Sequence, residues 1–365
     1  AVRSADVVSA VGRNPPGSAV TLTATGESAA GHPSELALPS GQATRIFTGA
    51  VLPEDADAVV PQEDVDVVND GKTTQLHIDA AAAQGVAAGR FVRGRASEVA
   101  AGDIVVPRGT QIDAGSLATL ASAGHATVLV HRRPRVAILS TGDELVRIGY
   151  QPGPGQIVSS NALMLAAQVV DAGGEPVVLP DAGDDPHELR ARLSEGLSAD
   201  ILVTSGGISV GDHDLVRREL EALGVEVHVH GLALRPGKPA AFGTRDTTLV
   251  FALPGNPASA WVTFLLLVQP ALRIRTGERT PRPPLRLPLT TTAALRGAGP
   301  RAHYVRARWG RLPGTATPLS AQQSGNLRSI GMVDLLFIVP IGVEAVEAGD
   351  TCEAIILRPP AESLS

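Results

Sequence analysis

Ile201-Leu202-Val203-Thr204-Ser205-Gly206-Gly207-Ile208-Ser209-Val210-Gly211-Asp212-His213-Asp214 decides the reading of this chain. A short apolar, β-branched run breaks into a loop of glycines and hydroxyls, and the loop ends in acids able to cap a helix. Strand, tight turn and helix start in that order make a βα crossover. Working outward, apolar runs at 135–139, 175–179 and 248–253 have the same strand character, and apolar residues recur at helical spacing over 161–172, 185–197, 214–223 and 257–276. Strands alternating with amphipathic helices predict a parallel sheet of βαβ units over 133–280.

The flanks differ. Residues 1–102 are poor in helical periodicity and carry short runs such as Ala58-Val59-Val60 and Gln75-Leu76-His77-Ile78 between Gly and Pro turns, which predicts a β-rich domain. Residues 103–132 read as a connector with one short helix over 114–121, closed by Gly124. Prolines crowd 281–288, where no helix can continue, and the runs at 304–309, 335–339 and 354–357 predict a C-terminal β domain over 281–365. The fold class is multidomain α/β plus β.

Composition excludes several functions. Lys plus Arg is 31 against 37 Asp plus Glu, a net charge of −6, so no basic face for generic nucleic-acid binding is expected. Aromatics at 3% supply few stacking platforms for single strands. Cys352 is the one cysteine, which rules out an internal disulfide and a paired-thiol zinc site and suits a reducing compartment. The apolar stretch 261–268 is too short to span a bilayer and the N-terminus lacks a signal-peptide layout, so a soluble, cytoplasmic protein with no membrane partner is expected. The sequence opens on Ala1, as a segment of a longer gene product would.

Ligands of open parallel sheets bind where strands end and helices begin, because backbone N–H groups collect there. Ser140-Thr141-Gly142-Asp143-Glu144-Leu145 offers hydroxyls and carboxylates at such a place; the opening stretch and Leu253-Pro254-Gly255-Asn256-Pro257-Ala258-Ser259-Ala260 are two more. Each alone is equally a tight turn, with Asp214 as a helix cap. Between them, Leu234-Arg235-Pro236-Gly237-Lys238-Pro239 holds two cations on a stiff backbone, which suits an oxyanion or else is a solvated turn. His228 and His230 share a strand face but find no third metal ligand at a plausible spacing, so they read as surface imidazoles, and Cys352 and Met164 read as packing residues.

Thr141-Gly142-Asp143-Glu144-Leu145, Ser160-Asn161, the loop from Thr204 to Gly211, Arg235-Pro236-Gly237-Lys238-Pro239 and Leu253 to Ala260 together resemble the ordered motifs of molybdopterin molybdenumtransferases, the MoeA family that includes the E domain of gephyrin. Arg45-Ile46-Phe47-Thr48-Gly49 and Pro61-Gln62-Glu63 resemble its β-rich subdomain. The resemblance implies a molybdopterin-binding three-layer αβα domain, a β-rich inserted domain and a C-terminal β-barrel-like domain, assembled as a homodimer. It implies that molybdate is transferred into adenylated molybdopterin with Mg²⁺, releasing AMP, and that a molybdopterin adenylyltransferase is the upstream donor.

Carried onto this sequence, the family pattern makes Glu144, Asp214, Lys238 and Arg235 catalytic, the two cations holding molybdate. Substrate contacts fall on Thr141, Gly142, Asp143, Ser160, Asn161, Ser205, Gly206, Gly207, Ser209, Gly211, Pro254, Gly255 and Asn256, with Thr48, Glu63, Arg93 and Ser324 from the flanking domains. Asp184, Asp214, Glu144 and Glu98 are the hard oxygen ligands suited to Mg²⁺. Arg301-Ala302-His303-Tyr304-Val305-Arg306 and the turn from Ser324 to Ser329 resemble cleft-facing segments of the barrel. Departures are Arg235 where lysine is usual, Glu98 where aspartate is usual, and a start at Ala1-Val2-Arg3, directly after the place of the family's Ser-any-Met-Asp-Gly-aromatic motif. A gephyrin-like scaffold that binds a protein partner, and an amidohydrolase of the competence-damage type sharing the αβα domain, are the alternative readings.

Overall fold

The computed structural model describes residues 1–365 except 70, 209–213, 280–282 and 361–365. Two compact units divide the chain, Ala1–Val105 and Val106–Ser365.

The N-terminal unit contains α1 (Ser4–Arg13), β1 (Val20–Ser28), β2 (Gln42–Ile46), β3 (Val65–Asn69), β4 (Thr74–Ile78) and α2 (Ala80–Gln84), with its sheet in the order β2-β1-β4-β3. Val20 and Leu22 alternate with Thr21 so that one face buries Val7 of α1, Ala83 of α2 and Ile78. α1 is a helix the sequence reading did not expect. Its cap comes from far away: Asp57 accepts from the Ser4 backbone N–H and from the Ser4 hydroxyl, both at 2.6 Å, while Arg3 at the N-cap position supplies nothing. Those two bonds hold the Asp57 carboxyl below the usual carboxylate range. Ala58-Val59-Val60 is not a strand; Ala58 makes one isolated antiparallel bridge to Val2.

The second unit begins with α3 (Ala114–Ser122), capped by Asp113, which accepts from Ser116 N–H at 2.8 Å. There follow β5 (Arg135–Ser140), the two-residue pair β6 (Leu145–Val146) and β7 (Ile157–Val158), α4 (Asn161–Asp171), β8 (Glu175–Val178), α5 (Pro186–Gly196), β9 (Ile201–Ser205), α6 (Leu215–Ala222), β10 (Glu226–His230), β11 (Leu234–Arg235), β12 (Ala241–Arg245), β13 (Thr248–Leu253), α7 (Pro257–Thr263) and α8 (Gln269–Arg275). The large sheet has the order β10-β12-β13-β9-β5-β8. β13, β9, β5 and β8 are parallel as expected, but β12 runs antiparallel to both β13 and β10, so the sheet is mixed.

Leu189 and Leu193 of α5 and Val216 and Leu220 of α6 are buried on one face of this sheet. Leu165 and Val169 of α4, with Phe264, Val268 and Leu272, are buried on the other, giving three αβα layers. Each such leucine contributes roughly 1.5–3 kcal/mol through removal from water. α7, a π-helical turn over Phe264–Val268 and α8 run on as one 19-residue helix of mean hydropathy 1.3. Length and composition alone would suit a bilayer, as those of a buried core helix also can, and the eight-residue stretch 261–268 is only its middle. Its buried residues recur at 260, 264, 268 and 272, the spacing of one helix face laid on the sheet.

The C-terminal part consists of β14 (Arg286–Thr291), β15 (Leu295–Arg296), β16 (Ala302–Trp309), β17 (Thr315–Pro318), α9 (Leu327–Gly331), β18 (Leu335–Val339), β19 (Ala345–Val346) and β20 (Thr351–Ile356). Strands in the order β16-β17-β14-β20-β18 close into a barrel because β18 returns to β16. Closure buries Val305, Phe337 and Cys352 inside. Cys352 is a packing residue as expected, its thiol pushed up by burial. Part of the proline-rich 281–288 joint lies outside the described residues.

Candidate active site

The site is assembled at the C-terminal ends of β5, β9 and β13. Thr141 N–H bonds to Ser205 O at 3.0 Å and Gly142 N–H to Ala182 O at 3.0 Å, so the loop after β5 is fastened to its neighbours on both sides. Gly206 has φ +104°, and a Cβ there would collide with the Thr141 carbonyl oxygen; Gly207 has φ +60° and would collide with Val216. Only glycine allows the two loops to approach this closely.

A cleft of about 400 Å³ opens between them. Thr141, Gly142 and Glu144 line it from the first loop, Asp184 from the segment after β8, Gly207 from the second loop, and Leu215 and Arg218 from α6. Thr141 is 3% exposed and its Oγ1 has no hydrogen-bond partner among the described residues. An orphaned buried hydroxyl on a cleft wall is a polar group waiting for a ligand or water. Asp185, not Asp184, caps α5, accepting from His187 and Glu188 N–H at 3.0 and 2.9 Å, and this leaves Asp184 exposed beside Glu144 in the cleft.

Several of the residues expected to contact substrate also have partners within the structure. Asp143 Oδ1 accepts from Asp184 N–H at 2.9 Å and so ties the two acidic segments together. Asn161 Nδ2 donates to Ser205 Oγ at 2.9 Å and to Gly255 O at 2.7 Å, clamping the second and third loops at the start of α4. Its Oδ1 is buried and has no partner among the described residues. Ser160 stands at the N-cap of α4 without a capping bond, and Asn256 does the same for α7 next to Pro254 and Gly255. Ser209 and Gly211 lie outside the described residues.

Asp214 is 6% exposed and caps α6, accepting from Arg217 N–H at 3.0 Å. Its other oxygen lies 3.4 Å from His230 Nε2; His230 and His228 are both exposed, as expected of surface imidazoles, and His228 faces Thr244 at 2.7 Å. Asp214 is absent from the described lining of the cleft.

Arg235, the last residue of β11, and Lys238, on the loop that follows, are both exposed, and β11 pairs with β16 and so joins the αβα layers to the barrel. Gly237 between them has φ +115° and fits against Thr263 with no room for a Cβ. Ser324 O accepts from Ala258 N–H at 2.9 Å, which sets the 324–329 turn on the third loop. Arg306 is 1% exposed and is directed into that turn, donating to Ser329 Oγ at 2.8 Å, Gln323 O at 3.1 Å and Gln322 Oε1 at 3.4 Å. Burial holds its guanidinium below the ordinary arginine value.

In the N-terminal unit, Thr48 and Glu63 are exposed, and Arg93 pairs with Glu98 at 2.8 Å. Among the described residues no three His, Cys, Asp or Glu side chains converge as a metal centre. Glu144 and Asp184 are the two carboxylates lining the cleft. Mg²⁺ is commonly held by one or two carboxylates together with substrate phosphates, so this pair fits that ion. The sequence reading passed over Arg218; its signal was the spacing Leu215 to Arg218, three apart and hence on one helix face.

Residues 1–124 match the family described as MoeA N-terminal region (domain I and II), residues 137–274 the probable molybdopterin binding domain, and residues 288–357 the MoeA C-terminal region (domain IV). The chain is 37% identical over 370 residues to a molybdopterin molybdenumtransferase of Nostoc sp., covering 99% of this chain and 81% of that one. A molybdopterin molybdenumtransferase of Bacillus subtilis is 31% identical, with 98% and 82% covered. The crystal structure of a molybdopterin biosynthesis MoeA protein from Pyrococcus horikoshii superposes with a TM-score of 0.79 at 31% identity, covering 98% of this chain and 85% of that one.

Proposed function

Because the chain belongs to the molybdopterin molybdenumtransferase (MoeA) family, the transferases of molybdenum cofactor biosynthesis, we propose that it transfers molybdate into adenylated molybdopterin and releases AMP. The observation that carries this reading is the cleft at the strand ends, lined by Thr141, Glu144 and Asp184, with the Thr141 hydroxyl buried and without a partner among the described residues. A pterin nucleotide presents phosphate oxygens, which accept from Thr141 Oγ1 and from the glycine-loop backbone. Molybdate is a dianion, and the exposed Arg235 and Lys238 on their stiff loop are the cations to hold it. Mg²⁺, held by Glu144 and Asp184, would neutralise charge on the substrate's pyrophosphate oxygens. Catalysis by this chain's own residues is then positioning and charge compensation.

A homodimer belongs to the same proposal. α3 buries none of its residues, and Leu117 within it and Leu129 and Val130 later in the same segment are 57%, 105% and 68% exposed, a surface that suits a second copy of this chain. A molybdopterin adenylyltransferase would be the donor upstream, since the substrate must arrive adenylated.

The test is AMP release from adenylated molybdopterin with molybdate and Mg²⁺, measured by chromatography. The chain is expected to release AMP, and Lys238→Ala to release it about 100-fold more slowly. A folded chain that binds the nucleotide without releasing AMP would overturn the transferase reading in favour of a scaffold.

A further inference from the structure

The cleft has one cationic side chain on its described lining, and no motif pointed to it. Arg218 lies on the first turns of α6, as Leu215 does, and lines the same cleft as Glu144 and Asp184. Its neighbours are engaged elsewhere: Arg217 pairs with Glu221 at 2.9 Å, and Arg190 of α5 pairs with Glu219 at 2.6 Å. Arg218 has no carboxylate within ion-pair distance among the described residues, although two line the same cleft. An exposed guanidinium that is left unpaired next to acids, and next to a buried hydroxyl with no partner of its own, marks a place for an anion with several oxygens.

We propose that Arg218 binds a phosphate group of the substrate. The inference rests on the reading of the substrate as a phosphate-bearing pterin nucleotide. Two carboxylates alone would repel such a ligand from the cleft, and one guanidinium offsets part of that repulsion while its planar fork fixes two phosphate oxygens at once. Thr141 lines the same cleft, and its unpartnered hydroxyl is a second donor for that group. The phosphate could be the adenylate phosphate or the phosphate monoester of the pterin itself, and the two sources separate in binding measurements.

Isothermal titration of AMP in one arm, and of unadenylated molybdopterin in the other, is run on the full chain and on Arg218→Ala, Arg218→Lys and Arg217→Ala. Arg218→Ala is expected to weaken binding about 10-fold in at least one arm, AMP if the adenylate phosphate is held and molybdopterin if the monoester is. Arg218→Lys is expected to recover part of the loss, since it restores the charge without the fork, and Arg217→Ala to stay within about 2-fold. A uniform loss in all three variants would overturn the assignment, as it would mean general electrostatics. Equal binding by Arg218→Ala and the unmodified chain in both arms, with AMP release intact, overturns the role of Arg218 and leaves the transferase reading standing. Absence of binding and of AMP release in the unmodified chain overturns both.

Discussion

Gly206 shows how much of the site rests on one missing methyl group. At φ +104° a side chain is strained, and the Cβ of alanine would be driven into the Thr141 carbonyl oxygen. Gly206→Ala is therefore expected to destabilise the chain by about 1–3 kcal/mol and to displace the Thr141 loop, read as a lower urea midpoint at unchanged slope. An unaltered midpoint would mean that the loops do not abut. The glycines and the Thr141 loop were legible in the sequence, because turn chemistry is local. What the residues do for one another was not. Asp143, Asn161 and Ser205 belong to the same motifs as Glu144, yet their hydrogen bonds go to Asp184 N–H, Gly255 O and each other, across 41, 94 and 44 residues of chain. A motif records that a residue type is required, and both a ligand contact and a loop clamp meet that description.

Elements were legible to the degree that their signals were local. Each βα crossover carried its own strand run, glycine turn and capping acid, so β5, β9, α5 and α6 could be placed from the sequence alone. α1 could not, because its cap is the carboxylate of Asp57, 53 residues away. β12 escaped for a related reason: with Gly243 at its centre it has little strand propensity, and its place comes from pairing with β13 and β10. In the barrel, His303 on β16 is 5% exposed, with Nδ1 2.6 Å from Arg296 O. Burial, reinforced by Arg235, Arg306 and Arg301, holds its imidazole below the usual 6.5, against the opposing hydrogen bond to Arg296. A histidine depressed in the folded state favours folding above its unfolded value, and this contribution is lost as the pH falls. Stability is thus expected to drop as pH is lowered below 6.5, by at most about 1.4 kcal/mol per pH unit for this one group. Thermal melts of the chain and of His303→Gln between neutral pH and mild acid check it: the variant should show the shallower slope, and parallel slopes would remove His303 as the cause.

At the scale of the whole molecule the unresolved demand is apolar surface. The αβα layers and the barrel each bury their own core, but the segment 106–132 does not: α3 has an apolar composition and no buried residue, and Leu129 is fully exposed. A nine-residue helix none of whose residues is buried is marginal in water, since a helix this short draws most of its stability from tertiary contact. Covering Leu117, Leu129 and Val130 with the same surface of a second copy would supply that contact through an isologous interface. The full chain is accordingly expected to sediment as a dimer at micromolar concentration. Leu129→Asp is expected to sediment as a monomer, because a charge at the centre of an apolar interface must be desolvated without a partner. The variant separates two causes, since Leu129 touches no core: a monomer with an intact αβα and barrel core melts cooperatively, and a misfolded chain does not. Should Leu129→Asp remain dimeric, the interface lies elsewhere and the apolar segment must be covered in another way. Should it become monomeric and lose AMP release while still binding AMP, the second copy completes the site rather than merely stabilising the fold.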